Sequence, residues 1–194
     1  MMDPLLRAID RINRWFFAGA ALLCLLLVLL TAEQVVARYF FGESSMAMQE
    51  LEWHFFGLIF LLAAPYTFRL EGHVRVDIFY GRMSPKTRRL IDAGGILLFL
   101  LPVCFVLVHS GMEFVLEARS FQGSGAYKGT VLGFLLQGEG SADPGGLPAR
   151  WLIKAAIPLA GFLLGLQGLA GLLRLLSGRP LAPPVDGEGG GDDA

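Results

Sequence analysis

Stretches without a formal charge alternate with polar ones four times along the chain. Trp15 to Ala32, Trp53 to Phe68, Ala93 to Met112 and Ala155 to Leu173 contain no Asp, Glu, Lys or Arg. A helix rising about 1.5 Å per residue needs roughly 20 residues to cross the hydrocarbon core of a bilayer, and the four runs are of that order. The second is the shortest. Leu51 and Arg69 extend it, since an arginine stem can lie in apolar surroundings while its guanidinium reaches the interface. The pattern therefore predicts an all-α integral membrane protein with four transmembrane helices, over about 15–37, 51–69, 90–115 and 151–175, in one domain covering 1–176. Arg7, Arg11 and Arg14 precede the first run as they would in a signal peptide. Its apolar region is longer than the usual 7 to 15 residues, however, and LLTAEQ lacks a small-residue cleavage site, so this helix is expected to stay.

The polar stretches carry their own patterns. Ahead of the first span, Leu5, Leu6, Ile9, Ile12 and Phe16 recur at helical spacing while Arg7, Asp10, Arg11 and Arg14 take the other face. This is the pattern of an N-terminal amphipathic helix lying on the membrane surface, or of a helical extension of the first span. Between spans three and four, GSGAYKG and EGSADPGGLPARW are dense in turn-forming residues, and VLGFLL (131–136) can dip into the interface. The 177–194 stretch, SGRPLAPPVDGEGGGDDA, has the composition of a disordered acidic tail.

Composition agrees, with 54% hydrophobic residues and a net charge of -1, which gives no reason to expect a nucleic-acid partner. Only two cysteines occur, Cys24 and Cys104, both within spans, so neither a disulfide framework nor a zinc cluster can be built from them. The distribution of positive charge adds orientation. Arg7, Arg11, Arg14, Arg69, Arg75, Arg82, Lys86, Arg88, Arg89, Arg174 and Arg179 fall on one side of the spans. Arg38, Arg119, Lys128 and Arg150 fall on the other, with Lys154 just inside the last helix. The excess predicts cytoplasmic termini, a cytoplasmic loop between spans two and three, and a cytoplasmic tail. Trp15, Trp53 and Trp151 stand at or beside the starts of apolar runs, as interfacial anchors do.

Few residues offer chemistry. His73 and Asp77 are four apart, but two ligands without a third are too few for a metal, and pairing of Asp77 with neighbouring arginines is the better reading. His54 and His109 are expected near the same depth, and two facing histidines in a four-helix bundle can ligate haem. The alternative function is thus a haem-binding membrane anchor of a redox complex. Glu33 is a candidate partner of Lys154 or Arg38. Gly161, Gly165 and Gly168 form a small-residue stripe that lets another helix approach closely, in this chain or in a second protein. Pro65, Pro102 and Pro158 occur singly and read as kinks. The middles of the spans hold no charge, no unwound Gly/Pro-rich segment interrupts them, and no phosphate loop, activated nucleophile or HExxH is present. The chain alone is thus a poor candidate for carrying a hydrophilic solute, and no enzyme or cofactor is expected.

Two segments resemble a known family. QELEWHFFGLIFLLAAPYTFRLEGHVRVDIFYGRMSPKTRRLIDAGG (49–95) and GSADPGGLPARWLIKAAIPLAGFLLGLQGLAGLL (140–173) resemble the small membrane subunit, often called DctQ, of tripartite ATP-independent periplasmic (TRAP) transporters. The likeness rests on a tryptophan after paired acids (Glu50, Glu52, Trp53), the HVRVD box and the PGGLP-RW-IK-IP run. It implies a multi-pass subunit of the bacterial inner membrane that braces a large membrane subunit in a stable heteromer. That larger partner takes up an organic acid with sodium, and a periplasmic binding protein delivers the substrate transiently. The resemblance implies no catalytic, cofactor or ion site in this chain. Candidate interface or structural residues are Glu50, Glu52, Trp53, Arg69, His73, Arg75, Asp77, Trp151, Lys154, Gly161, Gly165 and Gly168. Among them Arg75 and Asp77 would fix the loop between spans two and three.

Overall fold

The structure, a computed structural model, describes residues 2–70, 83–120 and 137–181. Those residues form four long helices and no strand. Helix α1 covers Met2–Val36 and continues through a π-helical turn, Ala37–Phe41. Helix α2 is Met46–Arg69, α3 runs Pro85–Ser120, and α4 runs Trp151–Leu176. Each is long and apolar enough to cross a membrane. The HVRVD box, the 131–136 segment and the acidic tail lie outside the described residues.

Local chemistry sets the ends and breaks. At the start of α3, Ser84 accepts a hydrogen bond from the Thr87 amide (3.2 Å) and Pro85 occupies the first helical turn, where its missing N–H costs nothing. Gly42 ends the π-turn of α1 in the left-handed region, φ 68°. Pro102 deprives the Leu98 carbonyl of its helical donor, and the ladder widens beside it into a second π-turn, Ile96–Leu100. Pro158 does the same to Lys154, and α4 is interrupted at Ala155, between Trp151–Lys154 and Ala156–Leu176. Helix α2, by contrast, continues through Pro65 unbroken.

No separate interfacial helix precedes the first span. Residues 2–36 are one α-helix, because nothing between Pro4 and Trp15 breaks it and because its N-terminal turns have something to pack on. Leu6, Asp10, Asn13 and Ala20 lie along one stripe, and Leu6, Asn13 and Ala20 are buried. At about 1.5 Å per residue α1 is about 52 Å long, well beyond the roughly 30 Å of a hydrocarbon core.

Helix α4 is the hub. Half of its most apolar window is buried, against 6% for α1, 6% for α2 and 11% for α3. Helix α1 packs on α2, α2 on α4, and α4 on α3, while α1 also reaches α4. The Phe17 and Tyr66 rings meet across α1 and α2 with centroids 4.8 Å apart. Between α3 and α4 the seam is built of small residues. A Cβ on Gly161 would lie 2.9 Å from Leu107 Cβ and 3.3 Å from the Cys104 carbonyl oxygen, and one on Gly165 would lie 3.4 Å from Cys104 Cβ. Gly111 of α3 answers against Pro158. The glycine stripe thus faces α3 of this same chain.

The remaining faces of α1, α2 and α3 are apolar and open. Leu22, Leu25, Leu29, Phe56, Phe60, Phe99, Phe105 and Val106 are all exposed.

Candidate functional sites at the two ends of the bundle

Polar side chains gather where the helices end. At the end where α1 begins and α4 finishes, called proximal here, three helices contribute to one network. Asp10 of α1 accepts hydrogen bonds from Arg174 Nη2 of α4 (2.6 Å), Arg69 Nε of α2 (3.3 Å) and Gln167 Nε2 of α4 (3.2 Å). Asn13, one turn along α1, donates to Gln167 Oε1 at 2.5 Å. Arg69 Nη1 also donates to the Leu181 carbonyl (2.5 Å), and Arg89 of α3 donates to the Gly178 carbonyl (3.1 Å).

The arrangement is largely sealed. The side chains of Arg174, Arg69 and Asp10 are 7%, 14% and 19% exposed, so the ion pairs are largely but not wholly shielded from solvent. One carboxylate faces two guanidiniums, which leaves a net positive charge inside the junction. Asn13 Oδ1 and Arg174 Nη1 are buried without a hydrogen-bond partner among the described residues. After α4 the chain turns back through Gly178 (φ 79°) and inserts Leu181, 5% exposed, between Ile96 and Leu175, against Phe68. All four helices are therefore fastened together at the proximal end.

The distal end is closed by a clasp. Glu50, near the start of α2, accepts hydrogen bonds from the Ser141 hydroxyl and from the Leu147 amide (2.7 Å). Glu139 pairs with Lys154, whose ammonium also sits 4.0 Å from the centre of the Phe114 ring. The guanidinium carbon of Arg119 stands 5.1 Å from the centre of the Trp151 ring. Backbone bonds from Glu139 N to Ala118 O (2.7 Å) and from Arg150 N to Glu139 O (2.9 Å) tie the loop to α3 and α4. Gly138 and Gly145 take positive φ, and buried Ala149 does so as well at 59°, a conformation that costs a residue with a Cβ about 1–2 kcal/mol.

Several expected residues fall into these two assemblies. Arg69 enters the proximal junction, and Glu50, Trp151 and Lys154 enter the distal clasp. Glu52 Oε1 is buried without a partner among the described residues, and Trp53 is 73% exposed on α2. His73, Arg75 and Asp77 lie outside the described residues. The expected Glu33–Lys154 pair is not formed. Lys154 takes Glu139, which the clasp brings nearer, and Glu33 accepts from Gln34 Nε2 (2.8 Å). The two histidines have separate partners. His54 Nδ1 lies 2.5 Å from the carbonyl of Glu50, while the side chain of His109 is 61% exposed on α3, 3.9 Å from Glu113. No group of three or more His, Cys, Asp or Glu side chains is assembled among the described residues.

Sequence reasoning missed Asp10, Asn13, Gln167 and Arg174 as a unit. Asp10 and Asn13 look like the wet face of an amphipathic helix, and Gln167 carries no charge to interrupt its run. The available signal was Gln167 itself, a lone amide in an otherwise apolar span, together with an acid set among three arginines.

Comparison with family models places residues 27–178 in the family described as "Tripartite ATP-independent periplasmic transporters, DctQ component". The matched segment covers all of α2, α3 and α4, and the final third of the apolar run of α1. Comparison with curated proteins gives no match.

Proposed function

The chain belongs to the DctQ component of tripartite ATP-independent periplasmic transporters, and from that membership we propose that it braces the large subunit that moves the substrate. It is the small permease subunit of a transporter, and its family is not a family of enzymes. In the proposed complex the large subunit forms a stable heteromer with this chain and takes up an organic acid with sodium. A periplasmic binding protein delivers that substrate. The chain sits in the inner membrane with both termini in the cytoplasm, a reading supported by the excess of Lys and Arg on the proximal side.

The observation that carries this reading is the contrast between fastened ends and open sides. Polar locks hold all four helices together at the proximal end and α2, α3 and α4 at the distal end, whereas α1, α2 and α3 leave most of their bilayer-level surface outside their own bundle. Such a unit is stiff and presents apolar faces for lipid or a larger membrane protein to cover. The polar cluster at the proximal end is spent on holding helices. Distal Glu50, Glu52 and the 117–150 segment are where the binding protein would approach, directly or through the large subunit. In the segment beyond Arg69, Asp77 and Arg75 are proposed to hold the loop beside the large subunit. Reversing Asp77→Lys is expected to loosen the complex without unfolding the helices, and unchanged co-purification would count against that role.

The test is recovery of the tagged chain from its native membrane in a mild detergent. A near-stoichiometric large polytopic protein is expected in the same fraction. Recovery of the folded chain alone would overturn the bracing role.

A further inference from the structure

Next to the buried stripe of α1 runs a second stripe of a different kind. Arg7, Arg11, Arg14 and Trp15 fall at i, i+4, i+7 and i+8, so they share one face of the helix. All three arginines are exposed, and none has an ion-pair partner among the described residues. Trp15 is 75% exposed. Each arginine follows directly on a residue of the buried stripe (Leu6, Asp10, Asn13), which places it about 100° round the helix from that stripe. The bond from Arg174 Nη2 to Asp10, 2.6 Å long, fixes that rotation and keeps the arginines turned outward.

Their depth is set by Trp15, which opens the charge-free run. Arg14, Arg11 and Arg7 lie one, four and eight residues before it, or roughly 1.5, 6 and 12 Å along the helix axis. The headgroup layer on each side of a bilayer is about 5–7 Å thick. Arg14 and Arg11 thus stand within the headgroup layer, while the Arg7 backbone lies about 5 Å beyond it, a gap its long side chain can span.

We propose that the Arg7–Arg11–Arg14 face, bordered by Trp15, is a docking site for the headgroup of an anionic phospholipid. Three exposed cations stacked along the membrane normal are complementary to lipid phosphates, and the indole supplies the amphipathic edge at the inner boundary of that layer. A lysine or arginine near an anionic surface strengthens attraction by about fivefold, so the three together form a selective face rather than a topology signal alone. The inference needs α1 to span the membrane but not a particular side of it, and it needs no second subunit. It therefore stands or falls separately from the bracing role.

The test uses the purified full-length chain in detergent, equilibrated with equal amounts of phosphatidylglycerol and phosphatidylcholine, with retained lipid read by native mass spectrometry. The chain is expected to retain phosphatidylglycerol preferentially. Arg11→Gln should lower that preference about fivefold, and replacing all three arginines with Gln should abolish it. Replacing all three with Lys should preserve most of it, and salt at 1 M, where the Debye length is about 3 Å, should collapse it. Lys86→Gln, which removes an exposed cation on α3 at the same end, should leave the preference unchanged. The proposal is overturned if Arg11→Gln has no effect, if Lys86→Gln has the same effect, or if excess inorganic phosphate displaces the lipid, since the site would then take the free anion.

Discussion

Removing the carboxylate of Asp10 is the sharpest test of the proximal junction. In Asp10→Ala, Arg174 and Arg69 lose a partner at 2.6 and 3.3 Å and are left as two like charges with side chains only 7% and 14% exposed. Two unit charges about 4 Å apart attract by about 4 kcal/mol at an effective dielectric of 20. Breaking a buried pair by deleting one partner is observed to cost about 3–5 kcal/mol, because the surviving charge cannot rehydrate. Gln167 loses its acceptor as well. A destabilisation of about 3 kcal/mol is therefore expected, which for a chain of this length corresponds to a Tm about 6–12 °C lower. The assay is thermal unfolding of the purified chain in detergent, followed by helical signal and by intrinsic fluorescence. A second variant separates charge from packing. Replacing Asp10, Arg69 and Arg174 together with Leu, Met and Met removes every charge of the triad and should cost less than Asp10→Ala alone. The reasoning is refuted if Asp10→Ala melts with the unaltered chain, or if the triple apolar variant is the less stable of the two.

The glycine seam gives an ordering. Gly161→Ala meets Leu107 Cβ at 2.9 Å and the Cys104 carbonyl at 3.3 Å, neither of which can swing away, and should cost about 1–3 kcal/mol. Gly168→Ala meets the tip of Leu100 at 2.8 Å and should cost less, while Gly165→Ala, with ordinary contact at 3.4 Å, should be neutral or gain up to about 1 kcal/mol of helix propensity. Thermal melts of the three variants check the order. At the distal clasp, Glu50→Ala should cost about 1–3 kcal/mol and speed amide exchange at Leu147 and through 137–150, because it removes the acceptor of both the Ser141 hydroxyl and the Leu147 amide. Protection unchanged at Leu147 would show that the loop is held without Glu50. Leu181→Ala should cost about 2–4 kcal/mol through the cavity left between Ile96 and Leu175, again read as a lower Tm.

The membrane-crossing helices were legible in the sequence because lipid demands long charge-free runs, a requirement that a residue count alone reveals. Pro65, Pro102 and Pro158 read alike as kinks in the sequence, and neither the π-turn beside Pro102, nor the break at Ala155, nor the continuity of α2 through Pro65 followed from that reading. The packing partners were not legible. Gly161, Gly165 and Gly168 announce a close approach, but only the three-dimensional arrangement shows that the approaching helix is α3. Periodicity misled most at the start of α1, where Asp10 and Asn13 sit on the stripe that turns inward. A polar residue on a helix reads as solvent-facing unless its partners are known, and the partners here, Gln167 and Arg174, are more than 150 positions away. Lys154 was legible as a charge needing a partner, but Glu139 was not, since a turn-rich loop has no periodicity from which to infer its return.

The central claim is that this chain is a pre-fastened helical brace whose open apolar faces are covered by the transporter's large subunit. It is tested most directly by photo-crosslinking in intact membranes from single positions at bilayer depth: Leu25 on α1, Phe60 on α2 and Val106 on α3, all exposed. The account predicts that at least one of these faces crosslinks to a large polytopic protein in high yield, and that the others label lipid. Lipid labelling alone from all three, in membranes where transport is intact, would contradict it.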